Sequence, residues 1–185
     1  ANRDSGVDEA RRDQRISEAL ANADCSFHLH EGNSVLPVDA VRTGAGEPFK
    51  VFTPFRKKWQ QLVAERGLPA LDRTVGSGSN LPQADPIPAV FPGFSEWSGR
   101  AHWPGGTSEA LSRLGRFLDG PVEVYHTQRD HPWADGTSCL SPWFASGAVS
   151  PVTSLRPLVE RLGTDFESWP QGPKSWMSEL VWREF

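Results

Sequence analysis

The run Gly136-Thr137-Ser138-Cys139-Leu140-Ser141-Pro142 places three hydroxyls within five residues, directly before a predicted helix start. Free N–H groups and the positive end of a helix dipole favour an anion at such a place, and hydroxyls add donors. A phosphate or diphosphate suits it; simple capping of one helix explains the same residues. The last helix offers a second pattern. At 100° per residue, Trp176, Glu179, Trp182 and Arg183 share an arc of about 120°. Met177, Leu180, Val181 and Phe185 take the other side and are expected to face a core. Two indoles, a carboxylate and a guanidinium on one face suit a planar ligand, although tryptophans also occur at ordinary surfaces and interfaces. Tyr125, the only tyrosine, precedes Thr137 by twelve residues, with Arg129 one helical turn on. By themselves these two read as a half-buried core residue and a surface ion-pair residue. The five histidines have no metal-ligand spacing, His28-x-His30 reads as strand surface, and no Ser-His-Asp or Cys-His set stands out.

Several elements must position these groups. Residues 8–21 read as a helix with Val7, Ala10, Ile16, Ala19 and Leu20 as a loose apolar stripe, and 25–30 alternate like a strand. The two together look like the end of an α/β unit whose other strands are missing upstream. Thr53 as N-cap and Pro54 in the first turn predict a helix that stops at Gly67. Residues 68–103 are rich in Gly, Ser and Pro and read as a connector. Beyond it, Thr107 should cap a helix carrying Ala110, Leu111, Leu114, Phe117 and Leu118, and 122–128 a further one. Ser141-Pro142 and Ser150-Pro151 each read as N-cap plus first-turn proline, with Pro157 kinking or delaying the second helix. Ser175 should cap the last.

Composition narrows the class. A net charge of −4 argues against a freestanding nucleic-acid binder, and 121–185 hold five basic residues against eight acidic ones, so a DNA groove cannot come from that segment alone. The basic runs Arg56-Lys57-Lys58 and Arg11-Arg12 read as solvated helix faces. Eight tryptophans suggest a packed aromatic core or stacking of planar ligands, and composition favours the core. Cys25 and Cys139 lie far apart, which disfavours a disulfide framework or zinc site and makes a reducing cytoplasm the default. No apolar run approaches the roughly 20 residues of a membrane span. The start at Ala1 shows neither Met nor a signal-peptide layout, which suggests a chain that begins mid-protein.

In order and spacing these motifs resemble the photolyase/cryptochrome family. Lys50-Val51-Phe52-Thr53-Pro54-Phe55, with Trp59, is similar to the stretch leaving the family's antenna domain. Tyr125-His126-Thr127-Gln128-Arg129-Asp130, then 136–142 and Gly147-Ala148-Val149-Ser150-Pro151, resemble the start of its flavin-binding helical domain. Trp176-Met177-Ser178-Glu179-Leu180-Val181-Trp182-Arg183-Glu184-Phe185 looks like its most recognisable helix. The resemblance implies a mainly α chain. Residues 1–51 would be the tail of an α/β antenna domain, 52–106 a helix and long connector, and 107–185 the first part of the all-helical FAD-binding domain.

It also implies that Tyr125, Thr137, Ser138, Cys139, Leu140, Ser141 and Trp176 contact FAD, active in its reduced form. Arg129, Glu179, Trp182 and Arg183 would meet ultraviolet-damaged DNA, with Glu179 and Trp182 acting on the lesion. The Glu-Leu-Val-Trp string is similar to that of class I cyclobutane pyrimidine dimer photolyases, the light-dependent repair enzymes. A carboxyl in a dry pocket has its pKa raised and can share a proton with a thymine carbonyl. Gly6 stands where folate-binding members carry an acidic residue, which argues against a folate antenna. Val152 replaces a basic residue that many relatives carry. The alternative is a cryptochrome that signals in blue light without repair. The parent protein is expected to be a cytoplasmic monomer with no membrane association. The chain alone, lacking sheet and later helices, is expected to bind FAD weakly or not at all and to be inactive.

Overall fold

The computed structural model describes residues 3, 6–70, 86, 93, 95 and 103–185. The connector predicted over 68–103 lies mostly outside them. Seven α-helices are described: α1 Val7–Ala21, α2 Phe52–Arg66, α3 Thr107–Leu118, α4 Tyr125–Gln128, α5 Ser141–Ala145, α6 Pro151–Leu162 and α7 Gln171–Trp182. A 3₁₀ turn, Pro121–Val124, runs directly into α4. The expected mainly α class is what the chain adopts.

The predicted strand over 25–30 does not form. A strand needs neighbours to take its backbone groups; between described residues, Arg3 N–H reaches the His30 carbonyl at 2.8 Å. Among the described residues there is no ladder: 25–29 are irregular backbone and His30 is an isolated bridge residue. Helix α1 forms where the pattern put it, yet its apolar stripe stays uncovered: Val7 and Ile16 are exposed, and its one buried residue is Asp13.

The core is built by the later helices. Leu62 and Val63 of α2, Ala110, Leu114 and Phe117 of α3, Leu155 and Leu158 of α6, and Met177 and Val181 of α7 are buried, joined by Val35 and Leu36. Full burial of such side chains contributes about 1.5–3 kcal/mol each. Trp59 is wholly enclosed, its ring 6.0 Å from Phe166, which in turn lies 5.0 Å from Trp169. The core therefore takes Trp59, Trp143, Trp169 and Trp176 out of solvent.

Helix starts correct the local reading in four places. Val51, not Thr53, is the N-cap of α2, and Gly106, not Thr107, that of α3; neither cap makes a side-chain bond. Helix α5 begins at Ser141 with Leu140 as N-cap, so Ser141 and Pro142 are its first two residues. Helix α7 begins at Gln171, four residues before Ser175, because Pro170 and Pro173 have the fixed φ that a first turn accepts. Ser150 does cap α6, accepting from Thr153 N–H at 3.1 Å, and the helix continues through Pro157 to Leu162. Gly67 closes α2 at φ 73 as expected.

Gly172 lets α7 lie against the 3₁₀ turn. A Cβ there would meet the Val122 and Glu123 carbonyl oxygens at 2.2 Å, and backbone cannot yield as a flexible side chain can. That close approach carries Trp176 and Glu179 to Tyr125.

Candidate functional site

Three elements converge on one hollow of about 610 Å³, within the usual range for a cofactor-sized cleft. Tyr125 enters from α4. Thr137, Ser138, Cys139 and Ser141 form one wall. Trp176, Glu179, Leu180 and Arg183 from the end of α7 form the facing wall, and Trp103, Pro142 and Phe144 complete the lining. The hydroxyl run and most of the polar α7 face, which sequence periodicity could only describe separately, thus face each other.

The hydroxyl wall is loop as far as Cys139, and only Ser141 belongs to a helix, α5. With five residues, α5 has too few aligned peptides for much dipole, so the expected helix-entrance anion site is corrected to a loop-built one. Gly136 brings the loop tight against α4, since a Cβ would fall 2.4 Å from Gln128 Cβ. Cys139 holds φ 51, a left-handed conformation rare outside glycine, and its Sγ lies 3.0 Å from Thr137 Oγ1. Leu140 is a core residue, 1% exposed, and does not reach the hollow.

Tyr125 is buried edge-on to Phe117, ring centroids 5.9 Å apart. Burial raises its phenol pKa above the ordinary value; the Glu179 carboxylate acts in the same direction and Arg129 opposes it. Arg129 donates to Glu179 Oε1 at 2.6 Å, and its guanidinium lies 5.6 Å from the Tyr125 ring centre. That bond, partly offset by desolvation, holds the Arg129 pKa above its usual range. The residue-level reading of Tyr125 as core and Arg129 as an ion-pair residue is therefore what the chain does. The Glu179 side chain is 36% exposed, neither dry nor without a partner in this chain.

Helix α7 does not split into the two faces drawn from its sequence. Trp176 belongs to the core as much as to the hollow: it is 2% exposed, 5.2 Å from the Phe117 ring. Phe185, assigned to the core side, is 45% exposed. Trp182 lies outside the hollow, stacked on Phe52 of α2 at 3.6 Å and 8°. One indole face is thereby covered and the residue remains 49% exposed.

Two charged residues escaped the sequence reading. Arg113 of α3 hydrogen-bonds the Thr137 and Ser138 carbonyls, and Glu184 receives N–H groups from Val35, Leu36 and Trp59. An arginine beside the buried positions Ala110 and Leu114 was a faint signal. Glu184 offered none, because its partners lie at least 125 positions away. Among the described residues there is no acidic, His or Cys cluster able to hold a metal. No described helix is long and apolar enough to cross a membrane.

The DNA photolyase family model matches residues 1–73. The deoxyribodipyrimidine photo-lyase of Escherichia coli K12 is 35% identical over 97% of the chain, and that of Vibrio cholerae is 34% identical over all of it. The chain spans 37% and 39% of those two proteins' lengths. A bacterial class III photolyase from Agrobacterium tumefaciens superposes with a TM-score of 0.67 at 25% identity, over 100% of this chain and 38% of its own. The chain is thus similar to DNA photolyases in sequence across nearly its whole length and in fold to a solved photolyase.

Proposed function

We propose that this chain is the part of a deoxyribodipyrimidine photo-lyase that begins its flavin pocket, and that the parent protein repairs cyclobutane pyrimidine dimers in ultraviolet-damaged DNA. In this reading 1–51 end an antenna domain, 52–106 connect, and 107–185 open the FAD-binding domain. One observation carries the reading: the hydroxyl loop and the polar end of α7 line the same hollow. The donor set fits FAD. Hydroxyls and loop N–H groups suit a diphosphate, while Trp176 and Tyr125 supply flat apolar surface for a ring system. Reduced FAD, when bound, supplies the light-driven electron that splits the dimer.

The chain's own residues do the remaining work. Thr137, Ser138, Cys139 and Ser141 hold the cofactor's phosphates, Leu140 anchors their loop in the core, and Tyr125 and Trp176 exclude water around the ring. Glu179 exchanges its Arg129 bond for one to the lesion, which frees Arg129 for a backbone phosphate. Arg183 adds positive charge on the same wall. Trp182, pinned on one face by Phe52, offers the other to a base; such stacking contributes about 1–3 kcal/mol. A lesion is poorly stacked and so costs less to flip out of the duplex.

A chimera decides it, with this chain replacing the matching segment of the Escherichia coli photo-lyase. Blue light should restore thymine-dimer repair. Glu179→Ala should lower the repair yield by roughly tenfold or more, as loss of a hydrogen bond to a charged group implies, and DNA affinity by less. Equal loss of both would refute the role given to Glu179. A chimera that folds without retaining flavin would refute the pocket.

A further inference from the structure

Arg113 lies on α3, outside the lining of the hollow, and the roles above do not use it. Its guanidinium bridges two consecutive peptide units of the hydroxyl loop. Nε donates to the Ser138 carbonyl at 3.1 Å; Nη2 donates to the Thr137 carbonyl at 3.2 Å and to the Asp135 carboxylate at 2.6 Å. The planar fork of arginine suits such a two-carbonyl grip, which a lysine ammonium cannot reproduce. The Arg113 side chain is 23% exposed, whereas that of Asp135 is 80% exposed, so the ion pair is the outer end of the contact and the carbonyls the inner.

The consequence follows from peptide geometry. No described peptide bond is cis. In a trans unit the C=O and the following N–H point to opposite edges. Carbonyls of Thr137 and Ser138 held on Arg113 therefore send the N–H groups of Ser138 and Cys139 the other way. Among the described residues neither N–H donates a hydrogen bond. Cys139 is in the left-handed region, the setting in which successive N–H groups form a concave anion seat. All three residues line the hollow and Arg113 does not.

We propose that Arg113 is a positioning residue: by gripping two carbonyls from behind, it turns the Ser138 and Cys139 amides into a diphosphate seat. Identifying the occupant as the diphosphate of FAD rests on the flavin reading; the seat itself does not. The arginine acts without touching the ligand, through the direction it imposes on the backbone.

The test uses the ¹⁵N-labelled chain titrated with inorganic pyrophosphate at fixed ionic strength, and separately with riboflavin, which has no diphosphate. The Ser138 and Cys139 amide signals of the native chain should shift and saturate with pyrophosphate. Arg113→Met should weaken that response about tenfold, the loss expected for one charge-assisted hydrogen bond. Arg113→Lys should recover part of it, and riboflavin binding should change in neither. Equal pyrophosphate affinity in Arg113→Met and native chain overturns the proposal. So does a native chain whose two amides stay still, a result that needs no variant to fold. Riboflavin at the Trp176 indole with those amides unmoved sinks the seat and leaves the flavin reading standing. Pyrophosphate at the amides with no response to riboflavin or FAD does the reverse.

Discussion

Glu179 and Glu184 stand five residues apart where α7 ends, and their surroundings differ in nearly every respect. Glu179 points to the hollow, partly exposed, with one bond to an equally exposed arginine. Glu184 turns inward. Val35 N–H donates to its Oε1 at 2.5 Å, and Leu36 N–H and Trp59 Nε1 donate to its Oε2 at 3.3 and 2.8 Å. Burial outweighs these three donors and the nearby Arg183 charge, and its pKa is pushed up to about 7. A surface ion pair is easily exchanged for another partner. A carboxylate that gathers donors from two other segments is not. Glu184 fastens the segment around Val35 and the indole of α2 to the end of α7, and that fixes the wall from which Glu179 faces the hollow.

Truncation should expose the contrast most sharply. Glu184→Ala leaves three enclosed N–H groups without an acceptor and should lower unfolding stability by about 3 kcal/mol, read as a fall in the urea midpoint. A loss no larger than that of Glu179→Ala would remove the distinction. The pH dependence comes next. A carboxyl whose folded pKa lies above its ordinary 4.5 binds more protons folded than unfolded between about 4.5 and 7. Stability from this group is thus full below 4.5 and is lost as pH rises through 7. The ceiling of that loss is about 3 kcal/mol, less because the residue is only part-buried. Glu184→Gln should flatten the stability profile across this window; an unchanged slope would place the titration elsewhere. The smallest effect belongs to Glu179→Gln, expected to shift stability by less than about 1 kcal/mol.

The same contrast separates what the sequence made legible from what it did not. Local signals held where the deciding partner was local: Ser150 bonds Thr153 three residues on, and Gly67 closes α2 at a positive φ. They failed where a distant segment decided. The alternating run at 25–30 has no ladder among the described residues, Phe52 captured Trp182, and Phe117 drew Trp176 into the core. Ser141 looked like a cap because Ser-Pro starts helices, yet Leu140 is buried and shifts the start by one residue. The meeting of the hydroxyl loop with α7 was legible only through family resemblance, since no periodicity relates residues 40 positions apart. Arg113 and Glu184 bond mostly to backbone groups, which carry no side-chain identity from which a pattern could be read, and their side-chain partners Asp135 and Trp59 lie 22 and 125 positions away.

The central claim is that Thr137, Ser138, Cys139 and Ser141 line one flavin pocket with the end of α7. It is tested most directly by titrating the labelled chain with FAD into the millimolar range, following the Ser138 and Cys139 amides and the Trp176 indole N–H together. The account predicts weak binding in which both sets of signals move with one dissociation constant. Movement at one wall alone, or two different constants, would contradict it.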